Sequence, residues 1–372
     1  MSDRKTVMLI TNHDDDVYCF RKELIEGIIG AGYKMLISCP YGEKLELMKD
    51  IDFEFDDVKI DRRGMNPFAD IKLYSHYYKV LKNRRPDVVL TYTSKPNVYA
   101  SVAAARLKIP YINNVTGLGS VLGKPAFIRN GILSLFRIAF RRSDCIFFQN
   151  EENMKLAKKQ GLVNGYCKLI PGSGVNTDRF PQQPYPDDDK LVFNYIGRVL
   201  HDKGVDDYIE AAKIIRAEHA NTEFNIIGFI EPTESHYEND LKELEKDGVL
   251  IYRGSQKDVK PFIKRAHATI HPSVYGEGMS NVLLESASSA RPLITTDNPG
   301  CRETVVDGKT GFIYHGGSVD ELVDRIEKFI AMDNFERRNM GIAGREYVEK
   351  NFSRQIVVDA YLQKIKLICE GV

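Results

Sequence analysis

The sequence is poor in cysteine and has no pattern that would give its cysteines a structural role. It carries six in 372 residues, without a C-x-x-C pair and without a histidine at zinc-ligand spacing. Neither a disulfide framework nor a zinc site is therefore expected, and reduced thiols are typical of the cytosol. The cysteines are Cys19, Cys39, Cys145, Cys167, Cys301 and Cys369.

Long apolar runs are also missing. The apolar stretch nearest the amino terminus covers residues 7–10, and no other stretch reaches the roughly 18 apolar residues that a membrane-spanning helix needs. So short a stretch does not make the apolar region of a secretion signal either. The sequence thus predicts a protein that neither crosses a membrane nor is exported.

Neither charge is in excess, because 52 Lys and Arg residues balance 52 Asp and Glu residues. A near-neutral protein does not attract nucleic acid through its overall field, so no nucleic-acid partner is expected. An anionic ligand would have to be bound by a local basic site. The length predicts two domains, at roughly 150 residues per domain.

What the sequence does contain is a regular alternation of short β-rich runs and helical patterns, which predicts an α/β protein with parallel sheets covered by helices. The alternation breaks at 176–189, a segment rich in Pro, Gly and Asp that indicates a solvated linker between domains 1–175 and 190–352. Strands are predicted at 6–11, 35–39, 87–92, 110–115, 145–149, 167–171, 191–197, 223–228, 249–252, 268–272, 292–296 and 311–314. Helices are predicted near 20–32, 67–84, 97–108, 126–142, 150–161, 318–332, 334–350 and 353–370.

The first strand does not end in the G-x-G-x-x-G loop that a dinucleotide-binding domain needs. It runs instead into His13 and the acidic residues 14–16, whose carboxylates would repel a pyrophosphate, so a dehydrogenase is disfavoured. The acidic run fits either a metal-binding D-x-D or a solvated helix start. The helix start is favoured because Asp stabilises helix N-termini.

A basic loop follows the first predicted strand of the second domain. It contains Gly197, Arg198, Lys203 and Gly204 at the carboxyl end of the strand, where ligands of open α/β sheets bind. A glycine allows close backbone approach, an arginine binds phosphate bidentately and a lysine adds a point charge, so the set suits a diphosphate. The alternative is a basic loop that simply faces solvent.

A second strand, loop and helix span residues 272–290 and contain Glu277 and Glu285. Ser280 or Asn281 can cap the helix, and free N–H groups expected at 278–280 would form an anion site beside a carboxylate able to bind a diol. Two carboxylates also fit a glycosidase, with one as acid and the other as nucleophile or base. A hydrolase has no need of the basic loop, which weighs against that alternative.

Together these segments resemble the retaining glycosyltransferases of family 4. The resemblance rests on Gly197-Arg198 with Lys203-Gly204, on the Glu277 and Glu285 pair, and on DGKTG at 307–311. It implies the GT-B fold, in which two doubly wound Rossmann-like domains face each other across a cleft and the last helix, here 353–372, crosses back onto the first domain. Asn66-Pro67 and residues 87–97, 114–119, 148–150 and 171–175 resemble a bacterial subgroup that adds sugars to undecaprenyl-diphosphate-linked intermediates of surface polysaccharides.

The resemblance also implies a role for each matching residue. Arg198 and Lys203 would neutralise the diphosphate of a nucleotide sugar, expected to be a UDP-sugar. Glu285 would bind the ribose hydroxyls and Glu277 a hydroxyl of the transferred sugar. Neither a cofactor nor a metal is implied. The backbone of the donor site would come from Gly197, Gly254, Gly278, Met279 and Ser280, with Gly254 near the base.

The sequence departs from the family at one position. Many members carry a histidine after the fourth strand of the first domain, but this chain has none between His76 and His201. Thr116 occupies that region and becomes the candidate contact to the sugar. A front-face retaining route needs no histidine base, because the leaving phosphate oxygen takes the acceptor proton and the protein supplies electrostatic stabilisation. The first loop lacks the family's glycines, so residues 13–16 would contact acceptor or sugar differently.

Residues 124–142 combine large apolar side chains with basic ones and suit a helix lying on an anionic membrane. In this interpretation Phe127 and Phe136 enter the bilayer, whereas the alternative is a core helix with a basic solvent face. The basic residues are Lys124, Arg129, Arg137, Arg141 and Arg142. The candidates for binding a lipid diphosphate are Arg62, Arg63 and Lys95.

The resemblance implies a metal-independent, retaining transferase that moves a hexose or N-acetylhexosamine from a UDP-sugar to a polyprenyl-diphosphate-linked glycan. The protein would be cytoplasmic and peripherally associated with the inner face of the cell membrane. A noncatalytic nucleotide-sugar-binding subunit and a nucleotide-sugar epimerase on the same fold are the alternatives. The epimerase would interconvert the donor without any acceptor.

Overall fold

The computed structural model describes residues 4–62, 64, 66–118 and 125–371. The chain forms two compact units. The first unit runs from the amino terminus to Ser173 and resumes at Arg354, and the second covers Gly174–Ser353.

A parallel sheet with strand order β3-β2-β1-β4-β5-β6-β7 forms the centre of the first unit. Every residue of the central strands β4 and β5 is buried, as expected for strands covered by helices on both faces. The strands are β1 (Thr6–Ile10), β2 (Lys34–Cys39), β3 (Glu54–Asp57), β4 (Val88–Tyr92), β5 (Tyr111–Val115), β6 (Cys145–Phe148) and β7 (Cys167–Leu169).

The helices of the first unit include one that begins earlier than its sequence pattern indicated. The pattern placed it near 20–32, whereas α1 starts at Asp14, because His13 caps it and three acidic residues fill its first turn. In chain order the helices are α1 (Asp14–Gly30), α2 (Pro67–Arg84), α3 (Ser94–Leu107), α4 (Ala126–Phe140) and α5 (Glu151–Lys159), with a 3-10 helix at Glu43–Met48.

The second unit is built on another parallel sheet, with order β10-β9-β8-β11-β12-β13. Its strands are β8 (Leu191–Ile196), β9 (Thr222–Ile227), β10 (Ile251–Gly254), β11 (Ala268–His271), β12 (Leu293–Thr296) and β13 (Gly311–Tyr314). Its helices are α6 (Val205–Glu218), α7 (Tyr237–Lys246), α8 (Lys260–Arg265), α9 (Asn281–Ser288), α10 (Val319–Ala331) and α11 (Asn334–Phe352). Short 3-10 helices lie at His201–Lys203, Pro232–Glu234 and Arg302–Thr304.

The segment 176–189 belongs to the second unit, whereas the sequence indicated a solvated linker between domains. The fully buried Arg291 guanidinium donates to the carbonyls of Gln183 and Pro184 at 3.3 and 2.7 Å. The same guanidinium donates to the Ile263 carbonyl at the end of α8. Because the N–H groups of a buried arginine need acceptors, these two carbonyls satisfy part of the guanidinium and tie the segment to the second core.

The last helix, α12 (Arg354–Glu370), belongs to the first unit. Its Tyr361 is buried and packs on Phe147 with ring centroids 4.6 Å apart and ring planes tilted by 59°. The Tyr361 hydroxyl accepts a 2.8 Å hydrogen bond from Asn114 of β5. Arg354, at the start of the helix, forms a 2.7 Å ion pair with Glu23 of α1. The helix thus closes the first hydrophobic core from the carboxyl end of the chain.

Every helix within the described residues is too short or too polar to span a bilayer.

Candidate active site

The candidate site lies where the parallel strands of the second unit end. Loops that follow β8, β9, β11 and β12 leave the same edge of the sheet, so residues far apart in sequence meet there. The loop after β8 carries Arg198 and Lys203, and the loop after β11 carries Glu277.

Two contacts hold the loop after β8. Tyr195, fully buried on β8, donates its hydroxyl to the Arg198 carbonyl at 2.6 Å. Gly204 has φ +70°, and a Cβ there would lie 1.9 Å from the Pro272 carbonyl oxygen. A glycine is therefore required next to Lys203, so that this loop can lie against the chain leaving β11.

Glu277 is the point where these loops meet. Lys203 Nζ lies 2.8 Å from Glu277 Oε1, and His271 Nε2 lies 2.8 Å from the same oxygen. Burial opposes ionisation of Glu277, but Lys203 and His271 together outweigh it and hold the pKa of this carboxyl well below its usual range. The site thus contains an ionised carboxylate bound to a lysine ammonium.

The loop of residues 276–280 is fixed by the chain that follows β12. The Glu277 amide donates to the Pro299 carbonyl and the Ser280 amide to the Gly300 carbonyl, both at 2.8 Å. The expectation of a free N–H at Ser280 is therefore wrong, because a carbonyl from another loop accepts it. Ser280 precedes α9 without a side-chain cap, and its buried hydroxyl makes no hydrogen bond among the described residues.

Glu285 lies about one turn inside α9 and is half-buried. Gly278 and Met279 lie in the loop that leads into this helix, between the anchored amides of Glu277 and Ser280. The spacing of the two acidic residues thus places one carboxylate in the loop and the other on the helix that it introduces.

Arg198 is held by a residue that sequence reasoning missed. Its guanidinium lies 3.0 Å from Glu231 Oε2, in the loop after β9, and this carboxylate is almost fully buried. The sequence does contain a signal for Glu231. It is an acidic residue shortly after a buried strand, at the sheet edge from which the basic loop also emerges. The pair orients the guanidinium, since a buried carboxylate needs a partner.

Gly228 was also missed, and it shapes the same edge. Its φ is +154°, and a Cβ there would lie 1.7 Å from the Gly197 carbonyl oxygen. The Gly228 amide donates to the Gly254 carbonyl at 2.9 Å, so the predicted backbone position near the base is part of this network. The Arg253 guanidinium donates to Asn225 at 2.8 Å, within the sheet.

A cluster that could hold a metal overlaps the site. One ligand atom from each of His271, Glu277 and Cys301 lies within 4.8 Å of the others. The Lys203 ammonium at the Glu277 oxygen repels a cation there, and burial raises the pKa of the Cys301 thiol. The cluster is therefore better suited to an anionic ligand that pairs with Lys203 than to a metal ion.

The acidic run 14–16 forms the first turn of α1. His13 Nδ1 accepts the Asp15 amide at 3.1 Å, and the Asp14 carboxylate accepts the Lys44 amide at 3.0 Å. Asp16 accepts the Thr11 hydroxyl at 2.9 Å. His13, Asp14 and Asp15 also bring three ligand-type atoms together, but their capping contacts explain the run as a helix start.

Comparison with known proteins assigns the chain to a family. The family described as "Glycosyl transferases group 1" matches residues 176–347, and the family described as "Glycosyl transferase 4-like" matches residues 6–150. The chain belongs to glycosyltransferase family 4. The assignment favours a transferase over the glycosidase interpretation of Glu277 and Glu285.

Relatives and solved structures agree with this assignment. The chain is 23% identical to an N,N'-diacetylbacillosaminyl-diphospho-undecaprenol alpha-1,3-N-acetylgalactosaminyltransferase of Campylobacter jejuni, over 96% of this chain and 97% of that protein. It is 28% identical to the capsular polysaccharide biosynthesis glycosyltransferase CapM of Staphylococcus aureus, over 83% of this chain and 84% of CapM. The crystal structure of Anabaena Alr3699/HepE in complex with UDP and glucose superimposes with a TM-score of 0.80, covering 98% of this chain and 100% of that chain at 14% identity. This likeness confirms the predicted GT-B fold class.

The first unit of the glycosyltransferase carries the remaining candidates. Thr116 follows β5 at the carboxyl edge of the sheet, and Arg62 is exposed in the loop before α2. Lys95, in the first turn of α3, forms a 2.7 Å ion pair with Asp70, so its ammonium already has a partner. The side chains of Arg63 and Lys124 lie outside the described residues.

Helix α4 separates the two phenylalanines that were expected to act together. Phe127 is 91% exposed, whereas Phe136 is 3% exposed and packs on Phe140 with ring centroids 5.2 Å apart. The expectation that Phe136 enters a bilayer is therefore wrong, because it faces the core. Ile138 lies three turns from Phe127 on the same face of α4 and is 60% exposed.

Proposed function

We propose that this glycosyltransferase moves a hexose or N-acetylhexosamine from a UDP-sugar to a polyprenyl-diphosphate-linked glycan, with retention of the anomeric configuration. The observation that carries the proposal is a pair of cations, Arg198 and Lys203, at one sheet edge, each held by a carboxylate. Two oriented cations at the carboxyl ends of parallel strands suit a ligand with two phosphates.

In the proposed reaction the bond between the anomeric carbon and the β-phosphate oxygen of UDP breaks. The bond to the acceptor hydroxyl forms on the same face of the sugar, and the hydroxyl proton passes to the departing phosphate oxygen. Arg198 and Lys203 stabilise the negative charge that develops on UDP. No protein base is needed, in keeping with the missing family histidine.

The carboxylates would orient the donor. Glu277 would accept a hydrogen bond from a hydroxyl of the transferred sugar, and Glu285 would accept from the ribose hydroxyls. Because the Ser280 amide is bonded to Gly300, Ser280 would contribute its buried hydroxyl instead. Gly197, Gly254, Gly278 and Met279 would contribute backbone groups.

We propose that this chemistry requires no metal, because the cations that stabilise the leaving diphosphate are side chains of the second unit. UDP is the favoured nucleotide because the Anabaena structure of the same fold holds UDP and glucose. The Campylobacter relative is named for a diphospho-undecaprenol acceptor, which supports a lipid-diphosphate acceptor here.

The acceptor would bind the first unit. Thr116 is the candidate for the contact to the sugar, and Arg62 is the exposed candidate for the acceptor diphosphate. Lys95 would have to break its ion pair with Asp70 before it could bind the acceptor diphosphate, so we assign Arg62 the main contact.

We propose that α4 rests on the anionic inner face of the cell membrane. Phe127 and Ile138 expose apolar surface on one helix face, and Arg141 at the helix end is exposed beside them. The exposed Phe68 and Ile71 lie at the start of α2, which packs on α3, the neighbour of α4. Apolar side chains flanked by arginine suit insertion beneath anionic headgroups.

The test is a transfer assay with labelled UDP-sugars and a polyprenyl-diphosphate-linked acceptor in the presence of EDTA. We expect UDP release together with a labelled lipid product whose new linkage keeps the donor's anomeric configuration. Inversion of that configuration, or a strict need for Mg²⁺ or Mn²⁺, would contradict the mechanism. Donor interconversion without acceptor would favour the epimerase, and binding without turnover would favour the noncatalytic subunit.

A further inference from the structure

We propose that His271 is a positioning residue that keeps the Glu277 carboxylate in place when Lys203 binds the donor diphosphate. This inference rests on the proposed function, since it concerns the same donor site. His271 is the last residue of β11, a central strand of the second sheet, and is 4% exposed.

The strand makes His271 a rigid support. Its carbonyl accepts a 2.8 Å hydrogen bond from the buried Thr295 hydroxyl on β12, and its backbone pairs with Thr295 in the parallel ladder. Its imidazole Nε2 lies 2.8 Å from Glu277 Oε1, whereas Nδ1 is buried and makes no hydrogen bond among the described residues. The ring is therefore directed at the carboxylate alone.

Lys203 and His271 contact the same oxygen of Glu277 but differ in freedom. Lys203 belongs to a short 3-10 helix, and its ammonium is carried by a long flexible side chain. The imidazole of His271 is instead held by a buried strand. A lysine that turns towards a diphosphate weakens its bond to Glu277. A largely buried carboxylate that loses a partner is destabilised, so the imidazole is needed to keep it oriented towards the sugar.

The experiment compares His271→Gln with His271→Asn. A Gln amide reaches the position of imidazole Nε2 and can still donate to Glu277, whereas an Asn amide reaches only that of Nδ1. We expect the Asn variant to bind UDP-sugars roughly tenfold to hundredfold more weakly than wild type, because a hydrogen bond to a charged group is lost. The Gln variant should retain most of the affinity, and UDP without a sugar should bind all three proteins alike.

His267 provides the matched control. It is also buried, but it lies just before β11, about 13 Å along the strand from His271. His267→Asn should lower Tm and leave UDP-sugar affinity unchanged. Loss of UDP and UDP-sugar affinity to the same extent in His271→Asn would overturn the proposal, since it would indicate general damage to the site.

A double-mutant cycle with Glu277→Gln separates positioning from stability. If His271 acts through Glu277, adding His271→Asn to Glu277→Gln should change UDP-sugar affinity less than twofold, whereas additive losses would overturn the proposal. Wild-type protein that binds no UDP-sugar would overturn the proposed function as well. Wild-type binding with an unchanged His271→Asn variant would overturn the role of His271 alone.

Discussion

The ammonium of Lys203 and the carboxylate of Glu277 form a 2.8 Å ion pair that joins the loop after β8 to the loop after β11. Both side chains are about one-fifth exposed, so water screens the pair only partly. The pair fixes the position of the lysine ammonium, which in the proposed function binds the donor diphosphate. Under that proposal, the ammonium would be oriented before the donor binds.

This pair leads to a prediction for turnover. Lys203→Ala should lower kcat by roughly 10²-fold or more, because in the proposed reaction the lysine stabilises charge that develops on the leaving group. The control is Lys213→Ala on α6, which removes an exposed pair with Glu210 in the same unit and should leave kcat unchanged. Steady-state kinetics that give full turnover for Lys203→Ala would remove the lysine from the mechanism.

Gly228 provides a prediction for folding. Gly228→Ala should lower Tm strongly, because its Cβ would overlap the Gly197 carbonyl oxygen and its φ is positive. The matched variant Gly197→Ala should keep a Tm close to that of wild type, since its Cβ would have a nearest neighbour at 3.7 Å. Thermal unfolding of both variants checks this difference, and equal Tm values would contradict it.

His267 predicts how stability depends on pH. Burial and nearby arginines lower its folded pKa to about 4, against about 6.5 for an unfolded histidine. As pH falls below about 6.5 the unfolded state binds the proton first, so stability is lost progressively until about pH 4. Between pH 7 and pH 5 this loss is on the order of 2 kcal/mol.

The measurement compares the fall in Tm between pH 7 and pH 5 for wild type and His267→Gln. The variant has no group titrating at this position, so its Tm should fall less. The low pKa of Glu277 confines its own effect to more acidic conditions, below about pH 4.5. Parallel Tm curves would show that the imidazole at 267 is not a buried neutral group.

If α4 contacts the membrane, binding should depend on the helix face that carries Phe127 and Ile138. Replacing Phe127 and Ile138 by Ser should reduce flotation with anionic liposomes and leave Tm nearly unchanged, because both side chains are exposed. Phe136→Ser should instead lower Tm, since removing a buried phenylalanine costs several kcal/mol. Flotation of the double variant equal to that of wild type would contradict membrane contact through α4.

The sequence predicted the strands of both sheets well where apolar runs were strong, as in β4 and β8. It missed β3, because three of its four residues are acidic and the strand lies at an edge. The wrong assignment of Phe136 was avoidable. It lies nine residues from Phe127, which at roughly 3.6 residues per turn puts the two side chains on opposite helix faces.

The candidate site was predicted to the extent that its residues lie in local motifs. Arg198, Lys203 and Glu277 follow strands in recognisable loops, so their type and position carried a signal. The partners of these residues come from other loops. Glu231 and the Gly300 carbonyl are brought in by the sheet topology, which spacing along the chain does not encode.

The most direct test of the donor site is a calorimetric titration of UDP in EDTA into wild type, Arg198→Ala and Glu285→Gln. We predict measurable binding of UDP to wild type and at least tenfold weaker binding to each variant. Wild type should also bind 2′-deoxy-UDP more weakly than UDP, whereas the variants should not distinguish the two nucleotides. Lys190→Ala, which removes a pair with Glu223 remote from these loops, should bind UDP like wild type. Equal UDP affinity in wild type, Arg198→Ala and Glu285→Gln would contradict the account, because the nucleotide would then bind elsewhere.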